Sequence, residues 1–171
     1  KIKSWKLKKI NTKDLVYISL LIAVNIVLSK FLCLRLGIVY ISFSFIAIVF
    51  VALKYNPIIS GIVASISDIL RAIIFGSNGF FFPGYTLSCL LTGIVAGLCL
   101  SKLTFKRIIL YAICTQIFFS LFLNTYWISI VTGKAFWLFI PKRLLQTAIM
   151  ILIKILTVDY FFYKRRLHEA V

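Results

Sequence analysis

The stretch from Pro57 to Phe75, PIISGIVASISDILRAIIF, decides the fold class. Asp68 and Arg71 are its only charged groups, and it is about as long as a bilayer crossing, which takes about 20 mostly apolar residues. Its turn signal lies just ahead, in Tyr55-Asn56-Pro57, with the proline suited to a first helical turn. Working outward, runs of the same kind recur at about 14–30, 36–54, 83–101, 108–127 and 141–163. Between them lie a Gly76-Ser77-Asn78-Gly79 loop, a short basic loop from Ser101 to Arg107, and a longer aromatic loop over 128–140. The runs are continuous rather than alternating, which argues against a membrane β-barrel.

Composition agrees. Of 171 residues, 62% are hydrophobic and 14% charged, and mean hydropathy is +1.06. Six spans take about 120 residues, leaving no room for a soluble nucleotide-binding domain. The expected fold is an all-α membrane protein, a six-transmembrane-helix bundle with both termini cytoplasmic. Its expected parts are a basic segment 1–13, a helical domain 14–163 and a basic tail 164–171. The lysines of 1–13 before the apolar Leu15–Ser29 imitate a signal peptide. No small-residue cleavage site follows, so a retained first helix is expected.

Charge sets the orientation. The chain has 20 Lys and Arg against 4 Asp and Glu. Thirteen of these cations fall in 1–13, at Lys54, in 102–107 and in 164–166; six fall on the other side, at Lys30, Arg35, Arg71, Lys134, Lys142 and Arg143. Cytoplasmic loops collect Lys and Arg, so the richer side faces inward. No nucleic-acid recognition motif accompanies the charge, so nucleic acid is not an expected partner. Cys33, Cys89, Cys99 and Cys114 have no metal-ligand spacing, and His168 stands alone in the charged tail.

The six outward cations run against the positive-inside trend. Taken singly, each is consistent with snorkelling into water or lipid phosphate. As a set, they suggest a site for an anionic ligand. Aromatic residues surround them: Phe80, Phe81, Phe82 and Tyr85 before the fourth span, Tyr126, Trp127, Phe136 and Trp137 after the fifth. An interfacial belt explains aromatics but not the Gly, Pro, Asn and Lys in the same two loops.

Asp68 lies about 16 Å along its helix from Pro57, within hydrocarbon depth. Two readings stand: an internal pair with Arg71 three residues on, or a carboxylate facing a cavity, suited to the paired N–H donors of an aminopterin-like ring. Lys154 is also buried by position, and no partner for it is legible. Small residues recur in Gly61, Ala64, Ser65 and Ala72, in Gly84, Ser88, Thr92 and Ala96, in Gly93-x-x-x-Gly97, and in Ser19-x-x-x-Ala23. Such spacing lets helix backbones approach. A phosphate loop, a His-Glu-x-x-His and a nucleophile–base set are absent from the sequence. An integral-membrane enzyme is therefore disfavoured, and neither a catalytic residue, a metal nor a cofactor is expected.

Several stretches resemble the substrate-binding S components of energy-coupling factor (ECF) vitamin transporters, the folate-specific ones in particular. They are Leu28-Ser-Lys-Phe31, Ser67-Asp-Ile-Leu-Arg71, Phe81-Phe-Pro-Gly-Tyr-Thr-Leu-Ser88, Asn124-Thr-Tyr-Trp-Ile128, Gly133-Lys-Ala-Phe136 and Pro141-Lys-Arg143. The resemblance covers roughly residues 14–160 and is most specific at Phe-Pro-Gly and Asn-Thr-x-Trp. It implies a pocket open to the outside in a multi-pass protein of the bacterial plasma membrane. It also implies a membrane T component and two ATP-binding subunits as partners, with ATP hydrolysis confined to them. Helix 1 is the implied docking face, where Ser19 and Ala23 stand in place of the usual Ala pair. Lys30 stands where many members carry Arg, keeping the charge but not the bidentate fork.

Folate, a dianion with flat rings, fits the residue set that the resemblance implies. Lys30, Lys134 and Arg143 suit its carboxylates. Phe82, Tyr85 and Trp127 suit its rings, and Gly84, within the Phe-Pro-Gly stretch, belongs to the same set. Asp68, Ser88 and Asn124 suit the pterin edge, with Arg71 beside Asp68. The alternative ligands are another pterin, a purine-like compound or another anionic vitamin.

Overall fold

The computed structural model describes residues 11–31, 33–36, 39–75, 82–100, 104–133, 137 and 140–169. Its elements are α1 (Thr12–Lys30), β1 (Cys33–Leu36), β2 (Val39–Ser42), α2 (Phe45–Lys54), α3 (Pro57–Phe75), α4 (Pro83–Leu100), α5 (Phe105–Cys114), a π-helical segment (Thr115–Leu123), α6 (Asn124–Thr132) and α7 (Ile140–Glu169). α5, the π segment and α6 form one continuous rod, Phe105–Thr132. The described residues thus make six helical rods and one hairpin. Four rods, α1, α3, α4 and Phe105–Thr132, are long and apolar enough to cross a membrane, which makes this a multi-pass membrane protein.

The third and fourth spans fall where the sequence reading puts them. The second does not. A helix over 36–54 is expected, but helix begins only at Phe45, and β1 and β2 pair antiparallel ahead of it, Arg35 opposite Tyr40. Arg35 therefore sits in a strand, not at a helix end. Val39, Tyr40 and Ile41 are good strand formers, and a short apolar run does not reveal by periodicity whether it is strand or helix. With ten residues, α2 is about 15 Å long, half the hydrocarbon core. Non-helical backbone is tolerated at such depth when it packs on protein, and the hairpin packs on α1 and α7. Two further boundaries move. The fifth span, expected over 108–127, extends through Thr132 into the expected loop, and the sixth, expected to end at 163, continues through the basic tail to Glu169.

Burial is inverted relative to a water-soluble helix. α3 turns Ser60, Gly61, Ala64, Ser67 and Asp68 inward and Ile58, Ile62, Ile66, Ile69 and Ile73 outward, Ile73 being 73% exposed. Lipid rewards that arrangement, since small residues let helices approach while isoleucines face hydrocarbon. α3 and α4 are the most intimate pair of elements. A Cβ at Gly93 would lie 2.5 Å from the Ser60 carbonyl oxygen, so only glycine permits this approach. Phe45, Val49, Ala96, Leu100, Ile108, Tyr111, Met150 and Val158 form the main core between α2, α4, α5 and α7.

The antiparallel order of α3 and α4 brings the end of one to the start of the other. Phe31, just after α1, packs edge-on against Phe75 at 6.5 Å, so the C-terminal end of α1 joins them. The opposite end is closed by its own contacts. There Tyr55 donates to Asp14 at 3.0 Å, and the Lys54 ammonium lies 3.7 Å from the centre of the Tyr17 ring. Burial, then the hydrogen bond to Asp14, push the Tyr55 phenol up to about 12.

Candidate functional site

The candidate site is built at the α3–α4 end. Asp68 is buried on α3, and both its oxygens are engaged. Arg71 donates to Oδ1, and Thr86 of α4 donates to Oδ2 at 3.1 Å. The internal pair allowed by the i,i+3 spacing is therefore present. A carboxylate offers about four lone-pair sites, so the two donors leave Asp68 capacity for more.

One helical turn beyond Gly84, Ser88 is buried at 3% exposure and organises the aromatic wall. It donates to the Gly84 carbonyl at 3.1 Å and accepts from Trp127 Nε1 at 3.1 Å. Trp127 thereby comes from α6 across to α4, where its ring centre lies 5.2 Å from that of Phe82. Phe82 meets Tyr85 edge-on at 6.3 Å, and Tyr126 flanks Trp127 at 5.3 Å. Rings at these separations pack favourably. The wall exists because residue 84 is glycine: a Cβ there would lie 2.6 Å from both the Phe82 and Trp127 rings.

Asn124 opens α6, three residues before Trp127. Its Oδ1 is buried and has no hydrogen-bond partner among the described residues. Buried acceptors are nearly always satisfied; the hydroxyls of Ser60, Tyr111 and Thr125 share this unpartnered state among the described residues, and Asn124 is the one of the four that lies on the same helix face as Trp127, about one turn before it. Arg143, near the start of α7, donates to the Ser120 carbonyl in the π segment at 3.0 Å. The Lys30 ammonium at the end of α1 sits 5.1 Å from the Phe75 ring centre, a cation–π distance.

The structure thus gathers Asp68, Arg71, Phe82, Gly84, Tyr85, Ser88 and Trp127 into one connected set. It places Asn124 and Arg143 on neighbouring turns and Lys30 at the same end. Lys134 lies outside the described residues. Ser19 and Ala23 are apart from the set, on the exposed face of α1. Thr86, Phe75 and Ser120 were missed. Thr86 is partnered across helices and Ser120 through its backbone, and neither relation leaves a mark in spacing along the chain. No group of three or more His, Cys, Asp or Glu stands together among the described residues. The site offers a carboxylate, an amide oxygen, tilted and edge-on aromatic rings and guanidinium groups, which suit a flat, polar-edged, anionic molecule.

Known proteins resemble this chain in sequence and in fold. The family model for ECF transporter, substrate-specific component, matches residues 13–162. The folate transporter FolT of Clostridium novyi (strain NT) is 34% identical over 146 residues, covering 84% of this chain and 83% of the relative. The folate transporter FolT of Leuconostoc mesenteroides subsp. mesenteroides is 26% identical over 167 residues, covering 93% and 89%. A crystal structure of FolT bound with folic acid matches with a TM-score of 0.83 at 27% identity, covering 90% of this chain and 95% of that one. The family match over residues 13–162 and the 34% identical relative covered over most of both chains lead to one assignment: this protein belongs to the family of substrate-specific components of ECF transporters, which are transport subunits and not enzymes.

Proposed function

We propose that the chain binds folate at the α3–α4 end and delivers it across the bacterial plasma membrane as the S component of an ECF importer. The observation that carries the proposal is the buried, unpartnered Asn124 oxygen about one helical turn from Trp127, whose ring meets Phe82. The pterin edge supplies N–H donors to Asn124 and Asp68, the rings lie along Phe82, Tyr85 and Trp127, and Arg143, Lys30 and Lys134 meet the glutamate carboxylates. Arg71 holds Asp68, and Ser88 holds Trp127. FolT relatives with these names favour folate over another pterin, a purine-like compound or a different anionic vitamin.

Both termini face the cytoplasm in this reading, because the cation-rich side is the inner one. A T component and two ATP-binding subunits supply the energy. They dock on α1, where Ser19 and Ala23 lie exposed in the membrane face and allow close helix approach. Ser19→Trp is expected to spare folic acid binding and abolish uptake in cells carrying the partners. Lost binding would contradict the docking assignment.

The direct test is a tryptophan-fluorescence titration of the purified chain with folic acid, followed by competition with pterins, purines and other anionic vitamins. Saturable 1:1 quenching, displaced by folates ahead of the other compounds, supports the proposal. No response to folic acid, or tighter competition by another class, overturns it.

A further inference from the structure

Two cations of α7 bear on the π-helical segment that leads into the site. Arg143 donates to the Ser120 carbonyl within it at 3.0 Å, and Lys154 donates to the hydroxyl of its first residue, Thr115, at 3.0 Å. Lys154 is 5% exposed, and no carboxylate lies within salt-bridge distance of it among the described residues. Its ammonium otherwise faces the rings of Phe45 and Tyr111, with centres at 5.7 and 5.5 Å. Thr115 donates back to the Tyr111 carbonyl at 2.8 Å, so its hydroxyl links the lysine to the end of α5. A lysine at this depth costs free energy to keep charged, and the groups it meets among the described residues, Thr115, Phe45 and Tyr111, are not those of the ligand site.

The π segment ends where the ligand-facing residues of α6 begin. π-helical bonding, i to i+5, opens each turn wider than an α-helix and recurs at functional sites. The number of residues held in that form sets the rotation of everything after it. Immediately after Leu123 come Asn124, with its unsatisfied oxygen, and Trp127, whose indole must point at Ser88. We propose that Lys154 is a positioning residue. By gripping Thr115, it holds the start of the π segment and thereby the rotational setting at which α6 presents Asn124 and Trp127. The proposal rests on the folate reading of the site only for what the ligand is.

The test is Lys154→Met in the full chain carrying W5F and W137F, so that Trp127 alone emits. Three quantities are read: ligand-free emission, the folic acid Kd and the thermal midpoint. The emission is expected to shift to longer wavelength and the Kd to rise about ten-fold, with no fall in the midpoint. Unchanged emission overturns the proposal, whatever the midpoint does. Should the parent fail to bind folic acid, the ligand reading falls, and the ligand-free emission still decides the role of Lys154. Should Lys154→Met fail to fold, Thr115→Val removes the acceptor instead; a shifted emission supports the proposal and an unchanged one overturns it.

Discussion

The two ends of the bundle use the same chemical vocabulary to opposite ends. At one, Asp14, Tyr17, Lys54 and Tyr55 satisfy one another: phenol to carboxylate at 3.0 Å, ammonium over ring at 3.7 Å. At the other, Asp68, Tyr85, Trp127 and Arg143 form an equally polar and aromatic set, but a buried amide oxygen is left over at Asn124. A closed set of contacts stabilises, and the unpartnered Ser60 hydroxyl near that end belongs to the close α3–α4 approach at Gly93; the remainder at Asn124 instead lies one turn from a ring-lined wall, where a ligand can meet it. An acid, an aromatic ring and a lysine near one another are therefore not by themselves a site.

Substitutions break or sharpen this contrast. The largest effect is expected from Trp127→Ala, which removes both the face against Phe82 and the donor to Ser88; calorimetry should show folic acid binding weakened by about 2–4 kcal/mol. Asp68→Asn comes next. It removes the charge that Arg71 and Thr86 share, and binding should weaken by about 1–3 kcal/mol. Unchanged binding with a lower thermal midpoint would make Asp68 a purely internal partner, like its counterpart at the other end. Tyr55→Phe should do the least, costing about 0.5–1.5 kcal/mol of stability by denaturation and leaving folic acid affinity unchanged. An affinity loss there would erase the distinction between the ends.

Much of the fold was legible in the sequence because lipid imposes a simple rule: an apolar run of helical length has few alternatives. Pro57–Phe75 and the span starting at Pro83 needed little more, and at Pro57 the proline also marked the start. The β1–β2 hairpin was not legible. Its apolar residues satisfy a strand as well as a helix, and its place is set by packing on α1 and α7. The π segment escaped for a related reason. Thr115–Leu123 reads as ordinary helix, and the groups that bond to it, Arg143 and Lys154, come from a distant part of the chain. At the site, Asp68, Phe82 and Trp127 stood out because charge, Phe-Pro-Gly and Asn-Thr-x-Trp are visible in one dimension. That Ser88 is occupied in holding Trp127, and that Thr86 braces Asp68, are facts of two helices meeting.

Asn124→Ala, read by folic acid calorimetry and thermal unfolding together, tests most directly whether the unsatisfied oxygen is reserved for ligand. The account predicts affinity reduced by about 1–2 kcal/mol with a thermal midpoint unchanged or raised, because the folded chain loses a buried acceptor that no described residue satisfies. Unchanged affinity with a lowered midpoint would contradict it.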